Sequence, residues 1–118
     1  MTVKELYEKV RYRLPKEVDL GERKFINFLE DTLCELEVLV EEKFLWLNTG
    51  AEKHPTTVSD EKIWCNDLFH IALIENICYL ATGDADKKSL FYKYVEEGKG
   101  RIRERQNDGR IRVMPKYV

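Results

Sequence analysis

Residues 73–102 read LIENICYLATGDADKKSLFYKYVEEGKGRI, and this stretch decides the fold. With the residues just before it, it spaces Ile63, Trp64, Leu68, Ile71, Ala72, Ile74, Cys78 and Tyr79 as the wide apolar face of a helix. That helix is expected to begin at Ser59 or Asp60, where Asp60 and Glu61 favour the positive end of the dipole. Gly83 stands where helices commonly end in a left-handed residue. Asp84 then caps a further helix, Ala85 to Arg105, with Leu90, Phe91, Tyr94, Val95 and Ile102 as its apolar residues and Gly98 allowing a close approach. Two helices joined only by Thr82-Gly83-Asp84 make a tight αα-hairpin.

Upstream, Thr2-Val3-Lys4-Glu5 fits a capping box, and Val3, Leu6, Tyr7, Val10 and Leu14 follow at helical spacing. Pro15 disfavours helix at the residue before it, which sets the first helix at about residues 3 to 13. After the connector Lys16–Gly21 comes a second pattern, residues 22 to 47. There Phe25, Leu29, Leu33, Leu36, Val40, Phe44 and Leu47 recur close to a heptad seam. A single helix over that span would be ~39 Å long. Ile26, Cys34, Val38, Leu39, Leu45 and Trp46 on its other side mark it as the expected central helix. It also carries Glu30, Asp31, Glu35, Glu37, Glu41 and Glu42. The plain reading of these acids is a solvated face; the sharper one is a stripe that meets a basic surface on a neighbouring copy. Residues 48–59, NTGAEKHPTTVS, read as the longest loop, with His54 exposed in it. The whole is expected to be all-α, a single four-helix domain over residues 1–106.

The last residues differ in character. Asn107-Asp108-Gly109 is a turn signal, and Arg110, Ile111, Arg112, Val113, Lys116 and Tyr117 belong to a run in which basic and apolar residues alternate, as in a half-buried strand. Residues 107–118 are therefore expected to form an extended basic tail. From Lys99 to Val118 there are seven bases and two acids, a charge of +5 that leaves −7 on residues 1–98 of this chain of net −2. A lone strand needs an outside partner, and a basic end on an acidic body points to an acidic one.

No constellation for catalysis emerges. His54 and His70 are the only histidines, and no Cys/His spacing resembles a zinc site, so no metal and no cofactor is expected. Cys65, Asp67, His70 and Glu75 are the only local candidates for nucleophilic chemistry, and His70 reads better as a histidine settled in an apolar face. Gly98-Lys99-Gly100 lies in or at the end of a helix, not after a strand as a phosphate loop requires. The three cysteines, Cys34, Cys65 and Cys78, are scattered, which fits a reducing compartment. No apolar run approaches the ~18 residues of a membrane span, and MTVKELYEKV is too charged for a secretory signal. Arg101, Arg103 and Arg105 leave open a small DNA-binding regulator that uses the basic end, although Asp84-Ala85-Asp86 would point acids at the duplex.

The layout resembles the small helical head–tail connector (adaptor, or head-completion) proteins of tailed phages and prophages. The resemblance rests on TVKELYEKVRYRL, on ERKFINFLEDTLCEL, and above all on residues 73–102: a helix ending Tyr-Leu-Ala, an acidic turn, and an aromatic-rich helix running into a basic tail. It implies a structural virion-assembly protein and no enzyme. It implies a ring docked on the portal, with tail or stopper proteins as further partners and the genome as the only nucleic acid in contact. The chain would be a homo-oligomer on assembly, with a monomer alone compatible with that role, and would make no membrane contact. Its place would be the host cytoplasm and then the virion neck, or the bacterial cytoplasm if prophage-encoded. On this reading Arg101, Arg103, Arg105, Arg110, Ile111, Arg112, Val113, Lys116 and Tyr117 face the portal or a neighbouring subunit.

Overall fold

The computed structural model describes residues 1–47 and 54–113, with side chains through Gln106. It is all-α, with no strand among the described residues. The first helix, α1 (Val3–Arg13), has the expected bounds: Thr2 Oγ1 accepts the Glu5 amide at 3.1 Å, and Val3, Leu6, Tyr7 and Val10 are buried. Leu14 turns extended ahead of Pro15. Tyr7 donates its hydroxyl to the Leu20 carbonyl at 2.7 Å and packs on Phe25 at a centroid distance of 4.9 Å, which ties the connector to both flanking helices.

The second helix is shorter than its apolar pattern predicts. α2 (Glu22–Leu39) ends where Val40 goes extended, and a single turn, α3 (Glu42–Leu45), follows. An unbroken helix over 22–47 would keep Phe44 and Leu47 on the seam. The break instead buries Leu45 and Trp46 and leaves Phe44 half-buried and Leu47 exposed. Burial of a Trp–Leu pair, about 1.5–3 kcal/mol per large side chain, outweighs two or three helical hydrogen bonds of about 1 kcal/mol each.

The segment expected to start the third helix is extended. Its carbonyls receive the amides that open α1: Lys4 N donates to Ser59 O and Val3 N to Glu61 O, both at 2.9 Å, while Ile63 N donates to Met1 O at 3.0 Å. Further along, Leu47 N donates to Trp64 O at 2.8 Å and Asn66 N to Leu45 O at 2.6 Å. Ile63 and Cys65 are buried and Trp64 between them is not, a period of two rather than 3.6. Asn66 then receives the Leu68 amide on Oδ1 and donates Nδ2 to Phe44 O, both at 3.0 Å. A 3₁₀ turn (Asp67–Phe69) leads into α4 (His70–Thr82).

The central helix is α4, not the second helix. Residues 72–78 are buried without interruption, and α1, α2 and α5 (Ala85–Val113) all pack on it. Gly83 closes α4 at φ +74°, donating its amide to Tyr79 O at 2.7 Å, and the hairpin follows as expected. α5 does not stop near Arg105. Its backbone stays helical through Asn107-Asp108-Gly109 to Val113, ~43 Å in all, so the first part of the expected extended tail is helix. Extending a formed helix fixes one residue per new hydrogen bond, whereas a strand here has no sheet to join. Residues 114–118, with Lys116 and Tyr117, lie outside the described residues. Among those described, no helix is long and apolar enough to cross a membrane.

Two consecutive polar residues are buried on α4, and each serves a different neighbour. Glu75 faces Arg13 of α1, whose Nη2 lies 2.6 Å from Oε1, and Lys87 of α5, whose Nζ lies 3.7 Å from Oε2. Neither carboxylate oxygen has a well-directed hydrogen bond among the described residues, so the pairing is held by charge. Asn76 donates Nδ2 to Thr32 Oγ1 at 2.8 Å, and Thr32 donates its own hydroxyl to Phe28 O at 2.7 Å. Lys88 donates to Asn76 Oδ1 at 2.9 Å and to both oxygens of Glu35 at 2.8 and 2.7 Å.

Two experiments check this packing. A Cβ at Gly98 would lie 2.6 Å from Phe69 Cε1 and 3.2 Å from Leu68 O, whereas Gly100 has nothing nearer than Arg103 Nη2 at 4.0 Å. Gly98→Ala should therefore cost about 1–3 kcal/mol, while Gly100→Ala should add up to about 1 kcal/mol, read from urea midpoints. Arg13→Ala should cost about 2–3 kcal/mol, below the ~3–5 of a fully buried pair because the guanidinium is partly wetted. The double variant R13A/E75L should recover most of that loss.

Candidate functional site

The described basic side chains near the end of α5 do not form one surface. Arg103 and Lys99 stand over a groove of about 350 Å³ whose floor is Leu39, Val40, Phe44 and Ile102, with Glu41 and Gln106 at its edge. Arg105 borders an adjoining groove of about 410 Å³, which shares Phe44, Ile102 and Gln106 and adds Lys43, Trp46, Leu47 and Asn66. Arg101 belongs to a separate cleft with Leu68, Ile71, Tyr94, Glu97 and Gly98. The break after Leu39 creates the first two grooves: a continuous helix would carry Phe44 and Leu47 along the axis of α2 instead of turning them beside α5. The backbone of residues 110–113 is helical, and the side chains of Arg110, Ile111, Arg112 and Val113 lie outside those described.

The expected acidic stripe is dispersed. Glu35 is drawn inward: it accepts from Lys88 and, at 3.1 Å, from the Tyr92 hydroxyl. Lys88 Nζ also stands 4.7, 5.1 and 5.3 Å from the ring centroids of Phe91, Tyr92 and Tyr79, a cation among three aromatic faces. Glu37 is engaged by His54, whose Nε2 lies 2.8 Å from Oε1. His54, expected to be exposed, is half-buried and sits 5.9 Å from the Trp46 ring. Glu41 and Glu42 fall beyond the end of α2, where Glu41 lies 3.6 Å from Lys43. Glu30 and Asp31 remain exposed on the helix.

Cys65 and His70 are in one neighbourhood without the geometry of a nucleophile and base. The His70 Nε2–H points at the Cys65 carbonyl, 2.8 Å away; a carbonyl only accepts, so this nitrogen carries the proton. The Cys65 thiol is buried, and burial, with Asp67 adding to it, pushes it up to about 12, far from a thiolate. Glu75-Asn76 inside an apolar helix is a signal present in the sequence. Paired polar residues there required partners, and these are Arg13, Lys87, Thr32 and Lys88.

No family model matches the chain, and no curated protein or solved structure matches it.

Burial holds the His70 imidazole below its ordinary pKa, against the opposing pulls of the Cys65 carbonyl and Asp67. A depressed histidine is neutral in the fold and takes up its proton more readily when unfolded. Its contribution to stability is therefore full above the unfolded value of 6.5 and is lost as pH falls below it, towards the folded value. Urea midpoints should decline as pH is lowered through that window, and the decline should be smaller in His70→Gln.

Proposed function

We propose that the chain is a structural assembly protein of the head–tail connector kind, which docks as a ring of copies through the C-terminal half of α5. The observation that carries this reading is the course of α5. Among the side chains described, its last substantially covered residue is Ile102 and residues 103–106 are exposed, while the helical backbone continues to Val113. A basic helical arm that outruns its own domain is suited to another surface. Lys99, Arg103 and Arg105 over an apolar floor fit an amphipathic acidic segment: guanidinium groups take carboxylates in charge-assisted hydrogen bonds, and Phe44, Leu47 and Ile102 supply contact area.

The partner on this reading is the portal or the acidic body of a neighbouring copy. Glu30 and Asp31 are acids of that body left exposed on α2. The first turn of α5 argues against the regulator that reads DNA. Asp84 and Asp86 are exposed there, and Asp84 Oδ1 is occupied with the Asp86 amide at 3.0 Å, so that end of the helix presents acids to a phosphate backbone.

Deletion of residues 107–118 should leave the helical fold intact by circular dichroism and abolish docking. The measurement is complementation of a phage or prophage lacking the gene, with portal binding followed by sedimentation. Infectious particles completed by the truncated protein would sink this reading.

A further inference from the structure

Three side chains of different chemistry converge on the exposed side of α2. Cys34 and Glu37 are one turn apart on the helix, and His54 reaches them from 17 residues beyond Glu37. The Cys34 sulfur, a Glu37 carboxylate oxygen and a His54 ring nitrogen all lie within 4.8 Å of one another. Bonds of roughly 2.0–2.3 Å to a tetrahedral ion set its ligand atoms roughly 3.3–3.8 Å apart. From separations of at most 4.8 Å, that spacing lies about 1 Å away.

We propose that Cys34, Glu37 and His54 form a binding site for a divalent transition-metal ion of the zinc class. A thiolate, an imidazole and a carboxylate are the donor set that a borderline-soft ion prefers, whereas calcium and magnesium take oxygen throughout. The thiolate and carboxylate balance the double charge. Glu30 and Asp31, the turn before Cys34, are exposed and deepen the negative field around it. On binding, the thiol proton leaves to solvent, and the Nε2 proton that His54 gives to Glu37 is lost to solvent while Nδ1 holds one, so the ring binds as the neutral imidazole with Nε2 on the ion. Pro55, buried directly after His54, restrains the backbone that presents the ring, and the Trp46 indole covers its flank. Three ligands among the described residues leave a fourth position for water or a further donor. The ion would fasten His54 to α2 more firmly than its single hydrogen bond to Glu37 does. Spacing in the sequence could not reveal this site, because its third ligand arrives only when the chain folds back.

The test is a Co(II) titration of the reduced full-length protein, followed by absorption. One equivalent should raise a thiolate-to-cobalt charge-transfer band that Zn(II) then abolishes. Cys34→Ser should remove the band, and Glu37→Gln and His54→Gln should each weaken Co(II) binding at least about tenfold, with the helical circular dichroism of all three unchanged. Absence of the band in the unaltered protein, its survival in C34S, or its indifference to both H54Q and E37Q would each overturn the site.

Discussion

Glu75 and Asn76 stand side by side in the middle of the most buried helix, and the rest of the fold is arranged to satisfy both. Neighbours on a helix diverge by about 100°, so one polar residue looks towards α1 and the other towards α2. Both also look towards α5, where Lys87 and Lys88 are likewise consecutive. Only one rotation of α4 and one of α5 presents four such groups to each other. Turning either helix by a residue would leave the buried Glu75 carboxylate without its cations, at several kcal/mol. Apolar residues drive the collapse here, but they tolerate many rotations. The polar pair selects among them.

That constraint explains which parts of the chain were legible in advance. The first helix, the glycine cap and the hairpin depend on residues near one another, and the structure has them where capping and periodicity place them. The second helix and the start of the third depend on partners far away. Val40 leaves the helix so that Leu45 and Trp46 can be buried, and residues 61–66 are extended because their carbonyls and amides are claimed by Met1, Val3 and Leu45. Helical spacing of Ile63, Trp64 and Leu68 was real but accidental. Alternation over Ile63–Cys65 was the true signal, too short to outweigh it. The turn residues Asn107-Asp108-Gly109 misled for the opposite reason: a helix already running needs less to continue than a strand needs to begin.

The site was legible in composition and not in arrangement. A basic end was plain from the order of residues, yet its division between two grooves and a separate cleft follows from which way each residue of α5 turns. The acidic run on α2 looked continuous because its partners were invisible. Lys88 lies 53 residues beyond Glu35, and His54 lies 17 beyond Glu37. Once those contacts form, Glu35 and Glu37 are engaged, and Glu41, beside Lys43, and Glu42 sit past the end of α2.

What remains after this internal pairing bears on the proposed ring. A contact repeated around a ring is heterologous: one face of each copy meets a different face of the next. Such a contact needs charges of opposite sign kept apart on one molecule and prevented from cancelling within it. The ion pairs of Glu35 with Lys88 and of Glu75 with Arg13 and Lys87 join the helices to one another, so they are not available to a neighbour. Among the described residues, Glu30 and Asp31 on α2 and Arg103 and Arg105 on α5 are not consumed in this way; they belong to different helices and are exposed. The proposed assembly would draw on this unspent pair of surfaces, and salt would weaken it more than it weakens the fold, because exposed charges are screened and partly buried pairs much less so.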